Sequence, residues 1–241
     1  MKPQASHRKL FALALTSLAI AAISPATAAV MVIKPTTAAA STEFTGRTAL
    51  DTLNDSQSEI NTGEPIPGTW PTVNVVKTEN WLALQAGPTT NIVVADQWIV
   101  FDLGASYDLD AIHVWNYFDI NGSNQGTDDV NVLFATTLSD SFGSAASLDN
   151  DFSGSVSLNF SEQTATGGGS NFQGAGELVS LGATKSARYV LFDIQTNHGH
   201  GTPESGRVGL GEIRFTTAVP EPSTTALLGL GGLALILRRR K

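Results

Sequence analysis

Trp98-Ile99-Val100-Phe101-Asp102-Leu103-Gly104, followed after a short gap by Leu109-Asp110-Ala111-Ile112-His113-Val114-Trp115-Asn116-Tyr117, reads as two β-strands separated by a turn. The β-branched and aromatic side chains suit a pleated surface in contact with other strands. Between them, Gly104, Ser106 and Asp108 are turn formers. Side chains alternate along a strand, so the second run puts Ile112 and Val114 on one face and His113, Trp115 and Tyr117 on the other. Both faces are largely apolar, which predicts an inner strand covered on two sides or, alternatively, a strand carrying a functional outer face.

The same period recurs on either side. Val130, Val132 and Phe134 alternate with Asn131, Leu133 and Ala135, while Val156, Leu158 and Phe160 alternate with Ser155, Ser157 and Asn159, a strand with one wet face. Glu177 to Leu181, Arg188 to Ile194 and Gly211 to Thr216 complete the set. Gly, Asn, Asp and Ser clusters separate these runs and helical periodicity is scarce, so the fold class expected for residues 46–217 is all-β, an antiparallel β-sandwich. Residues 29–45, rich in Ala, Thr and Ser, read as a leader or first strand. Gly167 to Gly169 read as a loop and not a phosphate cradle, because no Lys-Ser/Thr and helix follow them.

Both ends of the chain look like addresses. Lys2, Arg8 and Lys9 precede an apolar run from Leu10 to Ile23 and the small-residue site Ala26-Thr27-Ala28, which predicts a signal peptide over residues 1–28 with processing after Ala28. At the other end Pro220-Glu221-Pro222 is followed by an apolar run over 224–237, then Arg238, Arg239, Arg240 and Lys241. As a helix that run spans roughly 21 Å at about 1.5 Å per residue, short of the roughly 30 Å of bilayer hydrocarbon. A temporary anchor is therefore expected, its basic end held on the cytoplasmic side. This order of triplet, apolar run and basic end closely resembles the PEP-CTERM sorting signal of bacterial surface proteins, over residues 218–241. The resemblance implies an exosortase that cuts near Pro220, Glu221 and Pro222, with the secretion machinery and, transiently, the inner membrane as partners.

Between the two ends, seven basic and 21 acidic residues remain, a net charge of −14 against −8 for the whole chain. Such a body repels phosphate backbones, so no nucleic acid is expected as a partner. Cysteine is absent, which excludes disulfides, thiolate metal sites and a cysteine nucleophile. An exported body without disulfides must be held by its core, and the residues between the signals suffice for one such domain.

WIVFDLG, YDLDAIHVWNY, ARYVLFDI and VGLGEIRF together resemble the galactose-binding-like jelly roll of discoidin and coagulation-factor C-type domains, from about Ala49 to Thr216. The resemblance implies an eight-stranded sandwich whose loops at one end bind carbohydrate, often with a structural calcium ion. Under it, Asp55 and Glu212 are the expected calcium ligands. Calcium needs several oxygens from carboxylates and loop carbonyls; the alternative is that Asp55 caps a turn and Glu212 faces solvent. Trp70 and Trp81, ahead of the strong strands, are candidate platforms for the apolar face of a sugar ring, with burial the alternative for either, and Tyr117, Asp119, Asn197 and His198 are candidate further ligand contacts. Trp98 and Trp115, within strands, are expected in the core. Asp119, Asn121, Asn124, Asp128 and Asp129 lack the EF-hand order. No Gly-x-Ser-x-Gly elbow or other nucleophile signature is present, so no enzyme is expected.

The function expected is that of an exported, non-catalytic protein at the cell surface or in the extracellular matrix, binding extracellular polysaccharide. One alternative is a structural surface protein without lectin activity. Another is a secreted glycoside hydrolase or lyase using Asp128 or Asp129.

Overall fold

Two strands of double length organise the molecule. In the computed structural model, which describes residues 30–53, 60–66, 69–70, 73–75, 80–83, 94–117, 125–144, 148, 150–163, 172–199 and 207–218, the ten strands are numbered in chain order. Strand β5 (Trp98–Asn116) and strand β9 (Glu177–Ile194) pair antiparallel from Trp98↔Asp193 to Val114↔Glu177. The second half of β5 also pairs with β10 (Gly209–Ala218), which in turn carries β1 (Val30–Ile33) and β4 (Trp81–Leu82). The first half of β5 pairs with β2 (Thr37–Ala40), and the second half of β9 with β6 (Asp129–Ala135), whose far side holds β7 (Ser153–Asn159). These eight strands form one hydrogen-bonded sheet, and β3 (Val73–Val75) and β8 (Phe172–Gly174) form a separate ribbon.

That sheet is folded over on itself into two layers. Register between β5 and β9 breaks at Asp102/Tyr107 and again at Leu109/Ala111, where residues 103–106 of one strand and 181–184 of the other bulge out of the ladder. Bulges let strands turn a corner and change layer. Gly104 at φ 82° and Gly182 at φ 72° occupy the left-handed conformations the corner needs. The Gly104 N–H donates to Asp102 Oδ1 at 2.7 Å, and Arg188 grips the same carboxylate with two hydrogen bonds of 2.9 and 3.0 Å. One layer thus holds β2, β6, β7 and the halves of β5 and β9 nearest them; the other holds β1, β4, β10 and the remaining halves. Phe101 and Phe192 from the first layer meet Phe215 from the second, with ring centroids 5.2 to 6.4 Å apart, and make the centre of the core.

The chain is therefore the all-β antiparallel jelly-roll sandwich expected of it. It differs from the expectation of separate short strands because hydrogen bonding continues through the corner. The stretch read as a leader or first strand supplies two strands, β1 and β2.

Each layer also has a covered outer face. Val100, Tyr189 and Leu191 pack under Phe152 with Leu138, Phe142 and Leu148, so the β6–β7 connection roofs the first layer. On the second layer His113, Trp115, Glu212 and Arg214 point outward and are nevertheless buried. Trp70 stacks on His113 there, at 3.7 Å between centroids and 15° between planes, and the Ile60 carbonyl accepts from Arg214 Nε at 2.9 Å. This is the two-sided burial that the alternation around Trp115 called for.

The two ends of the sandwich are unlike. At the folded end lie the corner and the outer ends of the terminal strands, where Val30 pairs with Ala218 and the Thr217 hydroxyl donates to the Asp108 carbonyl. The opposite end carries the connections after β2, β5 and β9 and those before β4, β5, β6 and β10.

Candidate functional site

At the loop-bearing end, Tyr117 follows directly on β5 and its ring lies against Gly209, where an added Cβ would stand 2.7 Å from the ring and 2.9 Å from the Trp81 carbonyl. Only a glycine lets the three segments close up this far. The Tyr117 hydroxyl accepts from Arg47 Nη1 at 2.7 Å. Arg47 is itself buried, with its guanidinium carbon 5.7 Å from the Phe44 ring centre, and Arg207 approaches the same ring at 5.6 Å. Phe44 and Arg207 are half-buried, so a planar donor array and an aromatic edge reach the surface together.

A second group adjoins it. The His198 N–H donates to the Gly126 carbonyl at 3.1 Å, Asn197 pairs with Thr127 in an antiparallel bridge, and the Thr127 hydroxyl donates to the Gly209 carbonyl at 3.0 Å. Asn116 ties the end of β5 to the Thr127 carbonyl at 2.6 Å. His198 Nδ1 lies 3.8 Å from Asp128 Oδ1.

The structure brings together three of the residues expected from sequence, Tyr117, Asn197 and His198. Their roles differ. Asn197 is buried and braces the loop, its amide donating to the Arg207 carbonyl at 2.6 Å and its Oδ1 accepting from Gly199 N at 3.2 Å. Tyr117 and Trp81 have no exposed surface. Trp81 lies in the core with Nε1 donating to the Thr42 carbonyl at 2.9 Å, so neither ring has a face to offer a sugar, and the expectation of a platform at Trp81 gives way to an interior role. Trp70 is half-buried and lies on the outer face of the second layer, stacked on His113 with the Trp115 ring edge-on at 5.6 Å. Asp119 and Asp55 lie outside the described residues, as do Ala28, Pro220, Glu221 and Pro222. Arg47, Phe44 and Arg207 were not singled out in the sequence, where only the scarcity of cations in the body marked the two arginines.

Of the pair expected to ligate calcium, only Glu212 lies among the described residues. Glu212 is buried, and its Oε1 forms an ion pair with the guanidinium of Arg214, so the charge that a cation would neutralise already has a counter-ion. No group of three or more His, Asp or Glu side chains converges among the described residues. Asp128 and Asp129 are also engaged: both accept from Asn159 Nδ2, at 2.5 and 3.2 Å, and the Thr196 hydroxyl lies 3.3 and 3.1 Å from their Oδ2 atoms. Side by side, they tie β7 and the loop after β9 to the start of β6.

His113 makes the fold sensitive to acid. Burial, and secondarily the positive charge of Arg214, lower its pKa to about 4, while its hydrogen bond to the Ala175 carbonyl, at 2.8 Å through Nε2, acts in the opposite direction. Folded protein thus binds fewer protons at His113 than unfolded chain between pH about 4 and about 6.5, and stability falls as pH falls through that window. The full loss is about 3 kcal/mol. Asp193, raised by burial despite hydrogen bonds from Asn131 and Gln195, acts in the opposite sense. Urea midpoints measured at pH 7 and pH 4 should separate in the native protein and draw together in His113→Phe; equal separation in the two would remove His113 as the cause.

Residues 218–241 match the PEP-CTERM protein-sorting motif, which indicates export and a surface or extracellular location. No curated protein is detectably similar to the chain. Solved structures with a similar fold include a mutant of the lectin-binding domain of lectinolysin complexed with Lewis b, 15% identical over 76% of this chain and 92% of that one, at a TM-score of 0.43. The CBM32 of AlyQ in complex with 4,5-unsaturated mannuronic acid is 16% identical over 77% and 97%, at 0.43. The family 32 CBM from C. perfringens NanJ in complex with galactose is 14% identical over 78% and 98%, at 0.41.

Proposed function

We propose that the chain is a non-catalytic surface or matrix protein that binds extracellular polysaccharide through the loop-bearing end of its sandwich. An exosortase cuts the sorting tail near Pro220-Glu221-Pro222 after a transient stay in the inner membrane. The observation that carries this reading is the polarity of the molecule. The last strand ends at Ala218 beside Val30 at the folded end, whereas Arg207, Phe44 and His198 gather at the opposite end. A body held by its tail therefore presents those residues away from the attachment. Arg207 offers a fork of N–H donors to sugar hydroxyls and Phe44 an apolar edge to the C–H face of a ring, the two kinds of contact that a saccharide needs.

The test is a polysaccharide-binding screen of the processed protein. Arg207→Ala is expected to weaken binding at least tenfold while leaving the melting temperature within a few degrees, since Arg207 is half-buried and lies outside the central core. A screen blank for every polysaccharide would instead establish the structural surface protein.

A further inference from the structure

We propose that the folded end of the sandwich holds a second binding site, for a saccharide bearing an acidic group, in the cavity between the corner of β9 and the β6–β7 connection. The cavity is about 440 Å³, within the roughly 300–1,000 Å³ usual for small-molecule sites. It lies beside the bulge at residues 181–184, at the far end of the molecule from Arg207 and His198. It is thus distinct from the loop-bearing surface.

Its lining specifies the ligand. Lys185 is half-buried in it, with Nζ 5.9 Å from the centre of the Phe134 ring, which forms part of the floor. Thr136, Thr137, Ser153, Thr184 and Ser186 line the same cavity. Asp151, which also lines the cavity, accepts from Ser139 N and Oγ at 2.7 and 2.9 Å, and Asp110 accepts from the Thr184 hydroxyl at 2.7 Å. Lys185 forms no ion pair with a described carboxylate, whereas Arg188 and Arg214 each hold one.

A partly desolvated ammonium with no described carboxylate within ion-pair distance favours a ligand that brings one. Hydroxyls that both donate and accept match a polyhydroxylated ring, and the phenyl floor matches its C–H face. A divalent cation is repelled by Lys185. Long polyanions are repelled by a body of net charge −14. The fit is therefore to isolated acidic groups, such as a uronate within an otherwise neutral glycan.

Two probes test this: a glucuronate-bearing disaccharide and its neutral glucose counterpart, titrated into the processed protein by NMR and calorimetry. The acidic probe is expected to bind at least tenfold more tightly. Lys185→Gln should erase that preference and Lys185→Arg should largely keep it, with the chemical-shift changes centred on the residues that line the cavity. No binding of the acidic probe, an undiminished preference in Lys185→Gln, or shift changes confined to the loop-bearing end would overturn the proposal. Because Arg207 lies at the other end, failure here and failure of the loop-end reading are separate outcomes.

Discussion

Arg214→Met is expected to destabilise the fold by about 3–5 kcal/mol, a large part of the roughly 5–15 kcal/mol that holds a typical domain. The guanidinium has no exposed surface, and it satisfies three acceptors: the Glu212 carboxylate, the Ile60 carbonyl at 2.9 Å and the Ile213 carbonyl at 2.8 Å. Methionine fills much of the volume but takes from the buried Glu212 carboxylate, opposite Trp115 in the β5–β10 ladder, its guanidinium counter-ion. The asymmetry between breaking a buried pair and replacing it gives the control. Glu212→Gln with Arg214→Met removes the charge along with its counter-ion, so the double variant should be more stable than Arg214→Met alone. Urea unfolding measures all four members of the cycle. An Arg214→Met variant within 1 kcal/mol of the native protein would mean that the pair has no structural weight. Calcium supplies a further discrimination: a Glu212 that ligates calcium would give a melting temperature that rises with millimolar calcium in the native protein and not in Glu212→Gln.

The layers of the fold were legible because burial leaves a period in the sequence. Alternation around Ile112 and Trp115 is that of a strand covered on both sides, and the Val156 run is that of a half-buried strand with one wet face. What the alternation could not show was that β5 and β9 each continue through a corner, since bulges at residues 103–106 and 181–184 preserve hydrogen bonding that leaves no period of its own. The site was legible only in part. Asn197 and His198 were legible as candidate ligand contacts. By contrast, Arg47 reaches Tyr117 across 70 residues and Arg214 reaches Ile60 across 154. Such contacts are fixed by how the sheet folds over, and no local spacing announces them. Trp81 shows the converse: an indole beside polar residues gives no sign of exposure, and here the close approach allowed by Gly209 shuts its neighbourhood away from solvent.

Removal of residues 219–241 is expected to leave the melting temperature of the body unchanged within about 2 °C, below what a loss of about 1 kcal/mol would cause in a domain of this size. Removal of ten residues more, back to Val208, should abolish folding. The difference lies in β10, the last ten described residues, which sits between β1 and β5 and contributes Leu210, Ile213 and Phe215 to the core along with the Glu212–Arg214 pair. Without it β5 keeps only β9 as a partner in the second layer, and the faces of Ile112 and Val114 open to water. Pro220 cannot extend the ladder, because it has no N–H to donate, so a cut near the Pro-Glu-Pro triplet spares every hydrogen bond of the final strand. Calorimetry of the two truncations measures the stability difference, and fractionation of cells expressing the first one measures the destination, which should shift from the surface to a soluble exported pool. A body that fails to fold when only residues 219–241 are missing would show the sorting motif to be part of the domain, and an exosortase could not then remove it from a finished sandwich.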